Sequence, residues 1–111
     1  MKFRPRETTD YLYIHLKDTG GLTVKELHRE ARRAGMLSID YHYVVQRNGD
    51  VETGREPYVI AGHRCENAET SIYILVDQGE KGKLTDSQKV SLQELLESLK
   101  GEYPGVEVIK N

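Results

Sequence analysis

An Asn48-Gly49 pair near the middle of the chain constrains the fold more than any other feature of the sequence. Asn-Gly is the preferred pair for a type I′ turn, because that turn needs a positive φ at both central residues. Residues that favour β-strands lie on both sides of the pair: Tyr43, Val44, Val45 and Val51. The pattern predicts a β-hairpin with a type I′ turn and strands near residues 41–47 and 50–54.

Two capping boxes predict the starts of two helices. They lie at residues 23–26 (Thr-Val-Lys-Glu) and 85–88 (Thr-Asp-Ser-Gln), where the first and last side chains can satisfy exposed backbone N–H groups. Apolar residues then recur at helical spacing, with charged residues between them. The first helix is predicted over about residues 24–34, and Gly101 is predicted to close the second.

Three short apolar runs, at residues 11–16, 71–76 and 106–109, are typical of further strands. The resulting order is β-α-β-β-β-α-β, which favours an α/β fold with a mixed β-sheet of about five strands flanked by two helices. One domain is expected for the whole chain, residues 1–111. Residues 55–70 show no clear period and are predicted to form a long loop, which in compact domains often carries function.

Composition excludes several classes of function. The net charge of −2 gives no electrostatic case for binding nucleic acid. Cys65 is the single cysteine, so no internal disulfide can form, and a free thiol fits a reducing compartment. No apolar run approaches the roughly 20 residues of a membrane span, and no signal peptide is visible. Neither a membrane nor a nucleic-acid partner is therefore expected.

Several motifs follow one another in the order of a known family. Residues 36–43 (Met-Leu-Ser-Ile-Asp-Tyr-His-Tyr) resemble the passage W-x-x-x-G-Y-H-F/Y, and residues 47–55 match R-D/N-G-x-V-x-x-G-R. Other matching positions are Ile14-His15, Gly62-His63, Asn67, Ser71-Ile72 and the 85–88 helix start. The chain resembles the zinc-dependent N-acetylmuramoyl-L-alanine amidases of the bacteriophage T7 lysozyme type, a branch related to peptidoglycan recognition proteins. An amidase-like fold is expected.

The resemblance implies roles for individual side chains. In these amidases, two His and one Cys or Asp hold a zinc ion that polarises an amide carbonyl and activates a water. His15 corresponds to the first zinc ligand, Tyr41 to the tyrosine that assists the chemistry, and His63 to a histidine that lines the substrate groove. Cys65 and Asn67, on the same predicted loop, are assigned to this groove as well.

The sequence departs from the family at the remaining metal ligands. The second His is expected just after the last strand and the third ligand further on, whereas the chain stops at Asn111. We therefore expect a single amidase-like domain that lacks the C-terminal metal-ligand segment. No cofactor is expected, and Tyr41 is expected to be vestigial, a catalytic residue that has lost its role. A zinc site rebuilt from His15, His63 and Cys65 is the alternative, because zinc accepts nitrogen and sulfur ligands. Strand alternation places His42 opposite Tyr41, so His42 is predicted to pack in the core.

Three functions remain open from the sequence. The first is a degenerate, non-catalytic phage protein of the host cytoplasm. It would bind a protein, small molecule or muropeptide through the relict groove, as an inhibitor or regulator of a host or phage factor. The second is an active zinc amidase, a peptidoglycan hydrolase, whose metal site is completed by the loop, a second subunit or missing C-terminal residues. The third is a fragment of a longer protein. We adopt the first as the sequence-based hypothesis; the oligomeric state is left open.

Overall fold

A computed structural model of the chain describes residues 5–36, 38–60 and 67–110. This part of the chain forms five strands and two α-helices. Their bounds are β1 Tyr11–Lys17, α1 Val24–Arg33, β2 Tyr43–Val45, β3 Val51–Thr53, β4 Ser71–Asp77, α2 Asp86–Glu102 and β5 Glu107–Lys110. A short 3-10 helix, Ala68–Thr70, lies within the predicted loop. The predicted fold class, a mixed five-stranded sheet with two helices, is confirmed.

The five strands form one sheet in the order β3-β2-β4-β1-β5. β1 pairs in parallel with β4 and β5, β2 pairs in parallel with β4, and only β3 is antiparallel to its neighbour. The crossovers through α1 and α2 run in opposite directions across the sheet, so right-handed connections place the two helices on opposite faces. All seven residues of the central strand β4 are buried, as expected for a strand covered on both faces.

The main core lies on the α2 side of the sheet. Leu12 and Ile14 of β1 are fully buried there. They point to the same face because they are two residues apart on a strand. The other buried members of this cluster are Val45, Ile72, Ile74, Val76, Leu92 and Leu99. The burial of so many aliphatic side chains on one face anchors β1 firmly and fixes which of its residues point the other way.

The opposite face of the sheet is covered in two different ways. α1 packs there through Val24 and Ala31, which cluster with Val44 and Leu75 of the sheet. Aromatic side chains of β1 and β4 form a separate cluster around Tyr13 and its neighbours. The aromatic part of this face carries the candidate site.

Both predicted capping boxes are present. In each, the threonine hydroxyl accepts the backbone N–H three residues on, and the Glu26 or Gln88 side chain accepts the backbone N–H of the cap. Gln88 is fully buried, and its Nε2 donates to the carbonyl of Asp77 at 2.6 Å, which fastens α2 to the end of β4. The predicted helix end at Gly101 is wrong, because α2 continues to Glu102. Neither α1 nor α2, nor any other helix in the described ranges, is long and apolar enough to cross a membrane.

The hairpin is present, but the predicted type I′ turn is wrong. Gly49 has a φ of 91°, whereas the only non-glycine residue with positive φ in the described part of the chain is Asn67. The Gly49 N–H donates to the Gln46 carbonyl, and the Gln46 N–H donates to the Asp50 carbonyl, which defines a three-residue loop with a left-handed glycine. Asn48 Oδ1 accepts the Asp50 N–H at 2.9 Å, a local bond that explains why Asn48 stays outside the left-handed region.

Candidate functional site

His15 and Tyr41 meet on the aromatic part of the sheet face. His15 Nδ1 and the Tyr41 hydroxyl are hydrogen-bonded at 3.0 Å. Their rings meet edge to face, with centroids 5.5 Å apart at an interplanar angle of 80°. His15 comes from β1 and Tyr41 from the segment just before β2, and both side chains are half-buried. Because neither is fully covered, this His15–Tyr41 pair can present polar groups to a ligand.

Two stacked tyrosines support the imidazole. Tyr13 and Tyr73 occupy paired positions on β1 and β4, and their rings stack with centroids 4.8 Å apart and planes within 5° of parallel. The His15 ring meets both of them edge to face, at centroid distances of 6.3 and 5.6 Å. Stacked and edge-to-face contacts are the favoured aromatic geometries. The His15 ring is therefore held in one orientation by three neighbouring rings, those of Tyr13, Tyr41 and Tyr73.

The predicted groove residue Asn67 adjoins this cluster. Its Nδ2 donates to the Tyr13 hydroxyl at 2.8 Å. Its backbone is left-handed, with φ 52° and ψ 36°, a conformation that Asn tolerates better than most residues. Asn67 thus positions Tyr13, and a direct contact with a ligand stays a prediction. The predicted site residues His63 and Cys65 lie outside the described residues, so their placement relative to His15 stays a prediction too.

Two effects favour the neutral form of the His15 imidazole. Partial burial lowers the pKa of His15, and the positive charge of Lys17 lowers it further. Lys17 is exposed at the end of β1, and its Nζ lies 5.8 Å from the centroid of the Tyr41 ring. The charged group beside the His15–Tyr41 pair is therefore the ammonium group of Lys17.

The described side chains do not fit a zinc ion at this position. A catalytic zinc site needs three protein ligands and one open position. Over residues 5–36, 38–60 and 67–110, no group of three His, Cys, Asp or Glu side chains could hold a metal. His15 Nδ1 is already engaged by Tyr41, and Lys17 places a positive charge beside the imidazole. Within the described ranges, the side chains on this face offer ligand contacts but no complete zinc site.

His42 belongs to the core, which confirms the prediction from strand alternation. It is fully buried, its Nδ1 accepts the backbone N–H of Tyr73 at 3.0 Å, and its Nε2 donates to the Val59 carbonyl at 2.7 Å. Burial lowers the pKa of His42 to about 4. The neutral imidazole therefore acts as a bridge between β4 and the segment after β3.

Lys17 was not identified from the sequence as a site residue. The signal that could have found it is the alternation along β1, which places four side chains on one face: Tyr11, Tyr13, His15 and Lys17. The resemblance singled out only His15 of these four. The Tyr13–Tyr73 stack was missed as well, because it depends on the register between β1 and β4.

Comparisons with known proteins identify the family. No family model matches the sequence. The endolysins of Enterobacteria phage T3 and Escherichia phage T7 are each 31% identical to it over 114 residues, an alignment that covers 95% of this chain and 76% of each relative. The chain belongs to the phage endolysin family. The resemblance to amidases of the T7 lysozyme type that the motifs indicated is thereby confirmed.

Solved structures show that this endolysin-family chain has the fold of amidases and peptidoglycan recognition proteins. The N-acetylmuramoyl-L-alanine amidase LysC from Clostridium intestinale matches with a TM-score of 0.89 at 17% identity, over 99% of this chain and 74% of that one. PGRP-Hd from Alvinella pompejana matches with a TM-score of 0.81 at 18% identity, over 99% and 78%. A third match, the ectodomain complex of recognition proteins LCa and LCx bound to tracheal cytotoxin, has a TM-score of 0.81 at 16% identity, over 99% and 75%. At these identities the likeness concerns the fold alone.

Proposed function

We propose that this endolysin-family chain binds a muropeptide, a fragment of peptidoglycan, at the His15–Tyr41 pair without cleaving it. The observation that carries the proposal is the setting of His15, the residue that corresponds by resemblance to the family's first zinc ligand. His15 Nδ1 is hydrogen-bonded to Tyr41 and lies beside the positive charge of Lys17. A histidine in this setting is suited to hydrogen bonding with a ligand.

The neighbours in fold support a muropeptide as the ligand. They include an amidase named for its action on N-acetylmuramoyl-L-alanine and a recognition-protein complex that holds tracheal cytotoxin. A muropeptide combines sugar rings with peptide amides and carboxylates, so it needs apolar contact and polar groups in one place. The half-buried rings of Tyr11 and Tyr41 offer the first, and the His15 imidazole and the Tyr41 hydroxyl offer the second.

The His15–Tyr41 hydrogen bond also fixes which groups face a ligand. When the Tyr41 hydroxyl donates to Nδ1, the neutral imidazole carries its proton on Nε2. That N–H can then donate to an amide carbonyl of the peptide, while the Tyr41 oxygen keeps a lone pair that can accept from an amide N–H. The stacked tyrosines limit rotation of the His15 ring, which reduces the entropy that binding must overcome.

Calorimetric titration with a muramoyl dipeptide tests this function. We expect binding that persists in EDTA and is unchanged by zinc, with the dipeptide recovered intact by mass spectrometry. Tyr41→Phe keeps the ring and removes the hydroxyl, so it is expected to weaken binding about fivefold, the value of one hydrogen bond. Tyr103→Phe is the matched control, because Tyr103 packs against the α2-side core on the other face.

Two results would overturn the proposal. The first is a lack of muropeptide binding. That result would favour the hypothesis that the chain is an inhibitor or regulator with a protein partner. The second is close to one zinc per chain together with release of the peptide from the sugar. That outcome would make the chain an active amidase, with metal ligands outside the described residues.

A further inference from the structure

Lys17 places an ammonium group at the candidate site, and this charge has no carboxylate partner among the described residues. The ion pairs of that part of the chain join Arg47 to Asp18 and Asp77, and Arg55 to Asp40. Asp18, next to Lys17 in sequence, pairs with Arg47 at 3.1 Å. The acidic group closest to Lys17 along the chain is therefore engaged by another cation.

Asp77 is the register partner of Lys17 across β1 and β4, and its carboxylate is also engaged elsewhere. Its oxygens accept the Thr19 hydroxyl at 2.8 Å, the Thr19 N–H at 3.2 Å and the Gly79 N–H at 3.1 Å. Arg47 Nε lies 3.5 Å from the same carboxylate. Asp77 is fully buried within this set of bonds, so it does not turn toward the exposed Lys17 ammonium.

A charged donor therefore lies beside the half-buried His15–Tyr41 pair. With the Tyr41 hydroxyl donating to His15 Nδ1, the donors left for a ligand are the Lys17 ammonium and the His15 Nε2–H. The ammonium lies over the Tyr41 ring, which holds it near the pair through a cation–π contact. The site therefore offers the Lys17 ammonium beside the hydrogen-bonded His15–Tyr41 pair. Such a set repels a metal cation and suits an anion with further acceptor atoms.

We propose that this site selects a ligand carboxylate, with Lys17 as the specificity-determining residue and the His15–Tyr41 pair as its hydrogen-bonding partners. The inference rests on the proposed binding of muropeptides and goes one step beyond it, since it names the chemical group that is recognised. Peptide stems carry carboxylates that are either free or converted to amides. The site is built to bind the free form and to discriminate against the amidated form.

The test compares two probes, a muramoyl dipeptide with a free C-terminal carboxylate and the same dipeptide with a C-terminal amide. Calorimetric titration is carried out on the wild-type chain and on Lys17→Met, which keeps the length of the aliphatic stem and removes the charge. Lys17→Arg keeps the charge. Lys89→Met is the matched control, because Lys89 is an exposed lysine of α2, which covers the other face.

We expect the wild-type chain to bind the free carboxylate about fivefold more tightly than the amide, the upper range of a partly exposed ion pair. This preference should shrink as salt is raised. Lys17→Met should bind both probes equally, at the wild-type affinity for the amide, while Lys17→Arg and Lys89→Met should keep the preference.

The outcomes separate the two proposals. Equal binding of both probes by the wild-type chain, or a preference that survives in Lys17→Met, would overturn the carboxylate inference and leave muropeptide binding in place. Failure of both probes to bind the wild-type chain would overturn the proposed function and this inference together.

Discussion

The free energy of unfolding is expected to fall by about 3 kcal/mol as the pH is lowered from 6.5 to 4, because His42 must stay neutral in the fold. Burial, reinforced by the charges of Arg6 and Arg55, lowers the pKa of His42 to about 4. In the unfolded chain, His42 is expected to have the ordinary histidine pKa of 6.5. One pKa unit corresponds to roughly 1.4 kcal/mol, which gives the expected size of the effect.

The sign of the effect follows from proton binding. Between pH 6.5 and 4 the unfolded chain holds a proton on His42 and the folded chain does not, so acid favours unfolding. The free energy of unfolding is therefore unaffected by His42 protonation above pH 6.5, and it decreases as the pH falls from 6.5 toward 4. The lowered pKa values of His15 and His28 act in the same direction. Asp77 also has a lowered pKa, but its ordinary value of 3.8 places its contribution below this window.

Urea unfolding at several pH values between 7 and 4.5 measures the slope, and NMR titration of the imidazole resonances assigns it to individual residues. His42→Gln is expected to be less stable at pH 7, because it loses part of the bridge from Tyr73 N–H to the Val59 carbonyl. It should also show a shallower dependence on pH. A His42 imidazole that titrates near 6.5 in the folded chain would contradict the prediction.

Gly54→Ala is expected to cost about 2–3 kcal/mol of stability and to disturb the candidate site. A Cβ at this position would meet the Tyr41 carbonyl oxygen far inside van der Waals contact, and it would lie 2.8 Å from Ile39 Cδ1. The Tyr41 carbonyl cannot move away freely, because it accepts the Arg55 N–H at 2.8 Å. The Gly54 N–H is in turn bound to the His42 carbonyl at 2.8 Å. Overpacking at a site fixed by backbone bonds typically costs 1–3 kcal/mol.

Urea unfolding measures the loss of stability, and titration with the muramoyl dipeptide measures the effect on Tyr41. We expect the variant to bind more weakly even at temperatures at which it is fully folded. Gly101→Ala is the matched control, because the new Cβ within α2 would meet nothing within 4 Å, and alanine favours the helix by up to about 1 kcal/mol. Gly54→Ala with the stability and affinity of the wild-type chain would show that the close approach is not needed.

Much of the fold could be predicted because its signals are local. The capping boxes at residues 23–26 and 85–88 and the apolar runs each act within one element, and the structure has all of them. The turn at Asn48 was misread for a physical reason. Its side chain satisfies the Asp50 N–H, so a conformation outside the left-handed region is stabilised, and Gly49 alone takes the positive φ.

The candidate site could be predicted only in part. Family motifs pointed to His15 and Tyr41, and the structure brings these two side chains together. The rings that fix the His15 orientation could not be predicted, because Tyr13 and Tyr73 become neighbours only through the pairing of β1 with β4. The importance of Lys17 has a similar origin, since it depends on Arg47 engaging the acidic residues nearby.

The strand order has a consequence for how the site is assembled during folding. The β2–β3 hairpin joins residues close in sequence, so it can close within microseconds. β1 and β2 are held on either side of β4 by parallel pairings between distant segments, and such non-local pairings are slow to form. His15 and Tyr41 come from either side of β4, so their hydrogen bond exists only after both pairings are complete. The hairpin can therefore form before the protein is able to bind a ligand, and the site is complete only when the whole sheet has formed.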